Sequence, residues 1–356
     1  MARGETLVVG AGPTGLTAAI GLARRGLPVR VIEKRDTASN LSRAVGILPP
    51  TVRALAALGA ADEIVQESLV VERIQLSVRG RVLGHVDMSD AVAPDRRILA
   101  LPQDRTEELL RKVVERLGGE IRFGAAFEWL EQDADGVTGR FGGTEERFDH
   151  VIGCDGVHSP TREALGIAYE GYDVPGDWSI ADVDVGGDFD PHRVFIDPGD
   201  RRTGVTIAIP IGPTRTRIIA GRKDALEGLP FPIEVTHVRR TAPFTISIRQ
   251  ARDYVRGRVL LAGDAAHCHS PVGGRGMNLG MLDAVAAAEA IATGEIAEYG
   301  TARHREGAKT IRETERARRP VTSGHPLVPY ALATIGFILK HSRAARRAFL
   351  RQATNF

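Results

Sequence analysis

The stretch TLVVGAGPTGLTAAIGLARRGLPVRVIE, Thr6 to Glu33, limits this chain more than any other. The apolar run TLVV passes directly into Gly10, Ala11, Gly12, Pro13, Thr14 and Gly15. From Thr14 to Arg25 apolar residues recur at helical spacing, with Leu16, Ala19, Ile20 and Ala23 on one face. Gly26 suits a helix C-cap, and VRVIE at 29–33 reads as a second strand. The result is a complete βαβ unit with a glycine-rich turn inside it.

Each glycine of that turn has a physical task. Gly10 permits a tight turn, Gly12 lets backbone approach a pyrophosphate, and Gly15 lets helix and strand pack closely. The free amides at the helix start then face the phosphates. Glu33, with Lys34 and Arg35 after it, stands where an acid accepts hydrogen bonds from a ribose. A plain glycine turn is the weaker alternative, because strand, helix and acid all stand in place. The motif leaves FAD and NAD both open.

The rest of the chain must decide between them. Its 356 residues are enough for one large domain or two, and 47 basic against 45 acidic residues give no electrostatic reason to expect nucleic acid. Two cysteines, Cys154 and Cys268, make a disulfide framework improbable and a reducing cytoplasm the default. Residues 7–23 read as a buried strand turning into a helix, not as a targeting segment. The apolar run at 326–339 is too short for a bilayer span. Lys340, Arg343, Arg346 and Arg347 follow it, as in a membrane-surface helix, but a C-terminal helix packed on its own domain is the expectation.

A helix is expected at 104–117 with Asp104 and Glu107 as a capping box, then an alternating meander from Glu120 to Gly143 and the strand VIGCDG. From about 177 to 250, short alternating segments broken by Gly, Pro and Asp mark a mostly antiparallel sheet. GRVLLAGDAAH returns to a buried strand, and an Ala-rich helix follows from about 276 to 293. We expect a Rossmann-like α/β domain (residues 1–72, 98–176 and 254–323) interrupted by a sheet domain (73–97 and 177–253). A helical segment at 324–356 completes the chain.

Three later stretches accompany the glycine turn: LSRAVG at 41–46, DGVHSPTR at 155–162 and GDAAHCHSPVGGRGMNLG at 263–280. In order and content they resemble the FAD-dependent aromatic hydroxylases, single-component monooxygenases with the para-hydroxybenzoate hydroxylase fold. The resemblance runs from about residue 5 to 305, and SPVGGRGMN is closest to the branch acting on aromatic polyketides. It implies FAD as cofactor, NAD(P)H as transient co-substrate, and transfer of one oxygen atom of O2 to a phenolic ring through a flavin C4a-hydroperoxide. It also implies that Arg43 and Gln103 contact the FAD diphosphate and ribose, and that Asp155 and Gly156 serve FAD and NAD(P)H. Gly263 and Asp264 then bind the ribityl chain, and Pro271, Gly273, Gly274, Gly276, Met277 and Asn278 run along the isoalloxazine ring. Independently, the positive end of a helix opening near 276 would stabilise charge developing on a reduced flavin.

Other side chains are less clearly marked. His267, Cys268 and His269 form a tempting metal motif, but no third and fourth ligands accompany them and no metal is expected. Arg249 either lines the substrate cavity or pairs with Asp253 at the surface. Trp178, Phe195 and Phe244 are candidate pocket walls, with simple core positions as the alternative. EYGTARHREG at 298–307 resembles the family's Tyr-x-x-x-Arg helix without its usual proline. The rival functions are a flavin-dependent reductase or dehydrogenase of the same fold, acting on prenyl chains, and a non-catalytic NAD-binding sensor. A flavin halogenase is disfavoured because Trp178 is followed only by Ser179 and Ile180.

Overall fold

The computed structural model describes residues 4–38, 44–88, 97–199, 204–323 and 328–354. Its first sheet has six strands in the order Val255–Arg256, Val259–Leu261, His150–Gly153, Thr6–Val9, Val29–Glu33, Glu120–Phe123. All neighbours are parallel except the edge hairpin Val255–Arg256. TLVV and VLL are buried along their whole length, which is why they read as continuous apolar runs.

Helix Pro13–Arg24 covers this sheet and lies against helix Gly276–Thr293. Small residues allow the close crossing: a Cβ on Gly21 would sit 2.8 Å from the Cβ of Ala288. Two local expectations fail. Glu120–Phe123 does not join the meander but pairs in parallel with Val29–Glu33, so only 127–132, 137–141 and 144–148 form the antiparallel sheet. The helix expected at 104–117 spans Gln103–Arg116 with Pro102 as N-cap and no side-chain cap. Glu107 instead accepts a bond from Gln103 Nε2 at 2.8 Å.

The second sheet has seven strands in the order Glu234–Pro243, Ser179–Gly186, Arg215–Ala220, Thr206–Gly212, Arg193–Asp197, Arg73–Val78, Arg81–Asp87. Only the Arg193–Asp197 and Arg73–Val78 pair is parallel, so the sheet is mostly antiparallel, as expected. Strand alternation divides its side chains. One face packs Ala181, Val183, Phe195, Ala208 and Ile218 against Ala225 and Phe231.

On the other face the register aligns two rows. Ile180, Ile219, Ile207, Ile196 and Leu76 form the first, and Asp182, Arg217, Ile209, Val194 and Ile74 the second. Ile209, Val194 and Ile74 touch the cluster of Val45, Val71, Ala100 and Ile211, so this face is turned toward the segments that leave the nucleotide sheet.

Helices Ile296–Thr322, Val328–His341 and Arg343–Thr354 follow. Val328–His341 packs on the edge strand Arg81–Asp87, with Leu339 buried against Val86 and Met88. Among the described residues no helix is long and apolar enough to cross a membrane.

Candidate functional site: an open glycine cradle beneath a sheet

Gly10 has φ +104, and a Cβ there would lie 2.6 Å from the carbonyl oxygen of Cys154. A Cβ on Gly15 would lie 1.9 Å from the Gly10 carbonyl. These two glycines exist for internal packing. A Cβ on Gly12, by contrast, would meet nothing within 4 Å, so its bare backbone faces open space. Gly156, Gly274 and Gly276 share that property. Such glycines are what close approach by a ligand requires.

Beside the turn, the buried Glu33 carboxylate accepts the Ala11 amide at 3.0 Å and the Arg35 amide at 3.0 Å. The Arg35 guanidinium adds bonds at 2.9 and 3.1 Å. Burial works against its charge, but these bonds outweigh burial and hold the carboxyl below its ordinary range. Ala11, Leu16, Ala38, Asp104, Glu107 and Phe123 line an adjoining cleft of about 360 Å3. Burial pushes Glu107 up to about 7, and one buried oxygen of Asp104 has no partner. Lys34 is exposed.

Gln103 closes the other side. Its Oε1 accepts the Ala44 amide at 3.1 Å while its backbone N–H donates to the Ala44 carbonyl. Asn278, fully buried, accepts the Leu48 amide at 2.7 Å and donates to the carbonyls of Gly46 and Gly274, both at 2.8 Å. It therefore stitches the segment 46–48 to the loop that opens helix Gly276–Thr293. Pro271, Gly273 and Gly274 stand exposed on that loop, with Gly273 at φ +85 and Gly274 at φ +62. Met277 is partly buried against the main core. Arg43 lies outside the described residues.

The Asp155 and Asp264 motifs divide their labour. Asp155 accepts from Ser159 Oγ and, at 2.9 Å, from the Thr161 amide, so it organises the start of helix Pro160–Ala164. Burial raises its carboxyl above the ordinary range. From the same helix Arg162 donates to the Ala265 carbonyl at 3.1 Å and stacks on the Tyr169 ring. Tyr169 in turn donates to the Asp264 carbonyl at 2.9 Å. The Asp264 side chain itself is exposed, on a turn whose first residue, Gly263, has φ +61 and no room for a Cβ beside Thr14.

From behind, Asp283 accepts the Gly263 amide at 3.1 Å, His267 Nε2 at 2.6 Å and Arg303 Nε at 2.6 Å. Although fully buried, it is held below its ordinary range by His267 and Arg303. Tyr299 donates to the Leu261 carbonyl at 2.7 Å. The Tyr299-x-x-x-Arg303 pattern thus clamps the strand and turn that present Asp264. His267 is committed to Asp283, and among the described residues no three His, Cys, Asp or Glu side chains gather as a metal site.

These features fit a flavin dinucleotide, and comparison with known proteins supplies the family. Residues 3–219 and 226–313 match the FAD binding domain family. The chain belongs to that family. It is 35% identical over 303 residues to 6-methylpretetramide 4-monooxygenase of Streptomyces rimosus, covering 79% of this chain and 54% of that one. The structure of aklavinone-11 hydroxylase with FAD and aklavinone superimposes with a TM-score of 0.78 at 27% identity, covering 90% of this chain and 70% of that chain. That of p-nitrophenol 4-monooxygenase from Pseudomonas putida gives 0.89 at 23% identity, covering 98% and 97%, a likeness of fold. The chain spans between 52% and 62% of the length of the first curated relatives.

Within the family fold, not every expected residue reaches the cradle. Phe195 belongs to the core against Phe231, ring centroids 5.2 Å apart, on the sheet face turned away from the nucleotide domain. Trp178 and Phe244 stay together at 6.1 Å, packed with Val174, Ile246 and Ile248. Arg249 pairs with Asp173 at 3.3 Å, and Asp253 takes Arg256 instead. Its strand lies between Tyr169–Asp173 and His267–Cys268.

The sequence gives Glu107 a capping role instead of a place beside the cleft, and it does not single out Tyr169, Asp283, Arg217 or the isoleucine rows. For the rows a signal existed: Ile207, Ile209 and Ile211 alternate in GVTIAIPI.

Proposed function

We propose that this chain is an FAD-dependent, NAD(P)H-consuming monooxygenase that hydroxylates an aromatic or polyketide-type phenol. One observation carries the reading: bare glycine backbone at Gly12, Gly156 and Gly274 has open space beside it, and Asn278 ties the last of these to segment 46–48, next to Val45, which packs with Ile209 of the aliphatic sheet face. In this reading Gly12 and the start of helix Pro13–Arg24 receive the diphosphate. Glu33, Arg35 and Gln103 hold the adenosine side, and Lys34 reaches the phosphates from the surface. Asp264 binds the ribityl chain, and the segment Pro271–Asn278 borders the ring. Bound FAD would supply the redox and oxygen chemistry.

The residues of the chain then have three tasks. The rows Ile180–Leu76 and Ile209–Ile74 exclude water over the reacting ring, because water would divert the oxidant. Trp178 and Phe244, packed together on Val174, Ile246 and Ile248 just before strand Ser179–Gly186, border this face and do not form part of it. To Arg217, paired with Asp182 on this face, we assign the polar contact to a phenolic oxygen. NAD(P)H visits transiently, since the sequence contains no second strand–glycine turn–helix unit. We place the reaction in the cytoplasm, in keeping with the free thiols of Cys154 and Cys268.

The test is NAD(P)H and oxygen consumption with a panel of mono- and polycyclic phenols, with mass detection of one added oxygen atom. Coupled consumption is expected only in the presence of an accepted phenol. Turnover without oxygen would instead indicate a reductase, and colourless protein a nicotinamide sensor.

A further inference from the structure

Helix Val328–His341 has two apolar faces, and only one is used. Leu339 packs inward on Val86 and Met88. On the outward half, Tyr330 is 72% exposed, Phe337 64%, Ile338 46% and Ile335 44%. Ala331, Thr334 and His341 are also exposed there, so among its described side chains that half carries one hydroxyl and one imidazole as polar groups. A surface helix ordinarily turns its charged residues to water. Four large apolar side chains on adjoining turns are a patch and not scattered exposure.

Charge identifies what covers it. From Val328 to the last residue there are five Lys and Arg residues and no Asp or Glu, while the residues before 328 hold 42 basic against 45 acidic side chains. Helix Arg343–Thr354 adjoins the patch, with Ala345 packed beside Leu339 and Arg346 donating to the Leu339 carbonyl at 2.9 Å. Arg343 and Arg347 are exposed. A two-fold dimer through this surface would bring one basic helix against another. An anionic lipid surface offers acyl chains to the aromatic and aliphatic residues and headgroup charge to the arginines.

We infer that the outward face of Val328–His341, with the basic helix after it, docks on an anionic membrane surface without spanning it. This inference is independent of the proposed hydroxylation. The patch sits on the edge strand of the sheet that carries the isoleucine rows, where Gly84 lies beside Gly336.

The test is co-sedimentation of the full chain, loaded with FAD, with vesicles of phosphatidylcholine alone or mixed with phosphatidylglycerol. Binding is expected only to the mixed vesicles and is expected to weaken with salt. The double variants F337E/I338E and R343E/R347E should each lower the partition coefficient at least about tenfold, with flavin content and thermal melting unchanged. Should the acidic variants fail to fold, Phe337→Trp provides a second measurement: its fluorescence should shift to the blue and be quenched by brominated lipid. No binding, equal binding to neutral vesicles, or an unquenched tryptophan would overturn the inference. So would a dimer in sedimentation velocity that F337E/I338E abolishes, because a second copy would then cover the face.

Discussion

Arg217 meets Asp182 through two bonds of 2.7 Å, Nε to Oδ1 and Nη2 to Oδ2, in the middle of an otherwise aliphatic sheet face. Arg217 is 1% exposed and Asp182 16%. Breaking a pair this deep leaves one charge without compensation, whereas replacing both partners by apolar residues is close to neutral. We expect Arg217→Met to lower unfolding free energy by about 3–5 kcal/mol in urea titration of the apoprotein. The double change D182L/R217M should recover most of it. If the double variant is as unstable as the single one, the pair does not act as a unit.

Gly12 and Gly15 lie three residues apart and should fail differently. Gly12→Val places its side chain in open space, so the apoprotein should melt normally while the FAD Kd rises on the order of 100-fold. Gly15→Ala drives a methyl into the Gly10 carbonyl and should destabilise the fold before binding is tested. Calorimetry of the apoproteins and flavin fluorescence titration separate the two. Unchanged affinity in Gly12→Val would remove the diphosphate from this turn.

Asp264 and Asp155 make a second contrasting pair. The Asp264 side chain is exposed, so Asp264→Ala should weaken FAD binding by about 10- to 100-fold, the loss of charge-assisted bonds worth about 1.5–3 kcal/mol. Its apoprotein stability should hardly change. Asp155 accepts from the N-cap Ser159 and from the Thr161 amide at the start of helix Pro160–Ala164, so Asp155→Ala should cost about 1–2 kcal/mol of stability first. A stable Asp155→Ala variant would show that the carboxylate serves a ligand and not its own loop.

Glu107 gives a pH prediction. Burial raises its carboxyl from 4.5 to about 7, so between these values the folded protein binds a proton that the unfolded chain has released. Its stabilising contribution is therefore full below about 4.5 and is lost as pH rises through 7. Glu107→Gln keeps an acceptor for Gln103 and cannot ionise. It should match the wild-type apoprotein at pH 4.5 and exceed it by about 1–3 kcal/mol at pH 8. Parallel stability curves for the two proteins would refute the role of burial.

Local chemistry made much of this protein readable in one dimension. The βαβ unit at Thr6–Glu33, the αL-compatible glycines at 10, 263, 273 and 274, and the period-two strands of 177–250 follow from neighbours a few residues apart. Those are short-range properties, and the sequence determined them. One failed expectation and two open ones share an opposite origin. Glu120–Phe123 alternates like a hairpin strand, yet the free edge of Val29–Glu33 captured it. Phe195 was an aromatic of unknown side until register with Ala208 placed it on the outer face. The sequence leaves Arg249 between the substrate cavity and Asp253, and strand pairing with Tyr169–Asp173 brings it to Asp173 instead. Which face a strand turns inward, and which distant residue stands opposite, depends on contacts across more than a hundred positions. Asp283 under Gly263, Asn278 between Gly46 and Gly274, and Arg217 above Ala44 are decided only there, because packing and not sequence distance sets who is a neighbour.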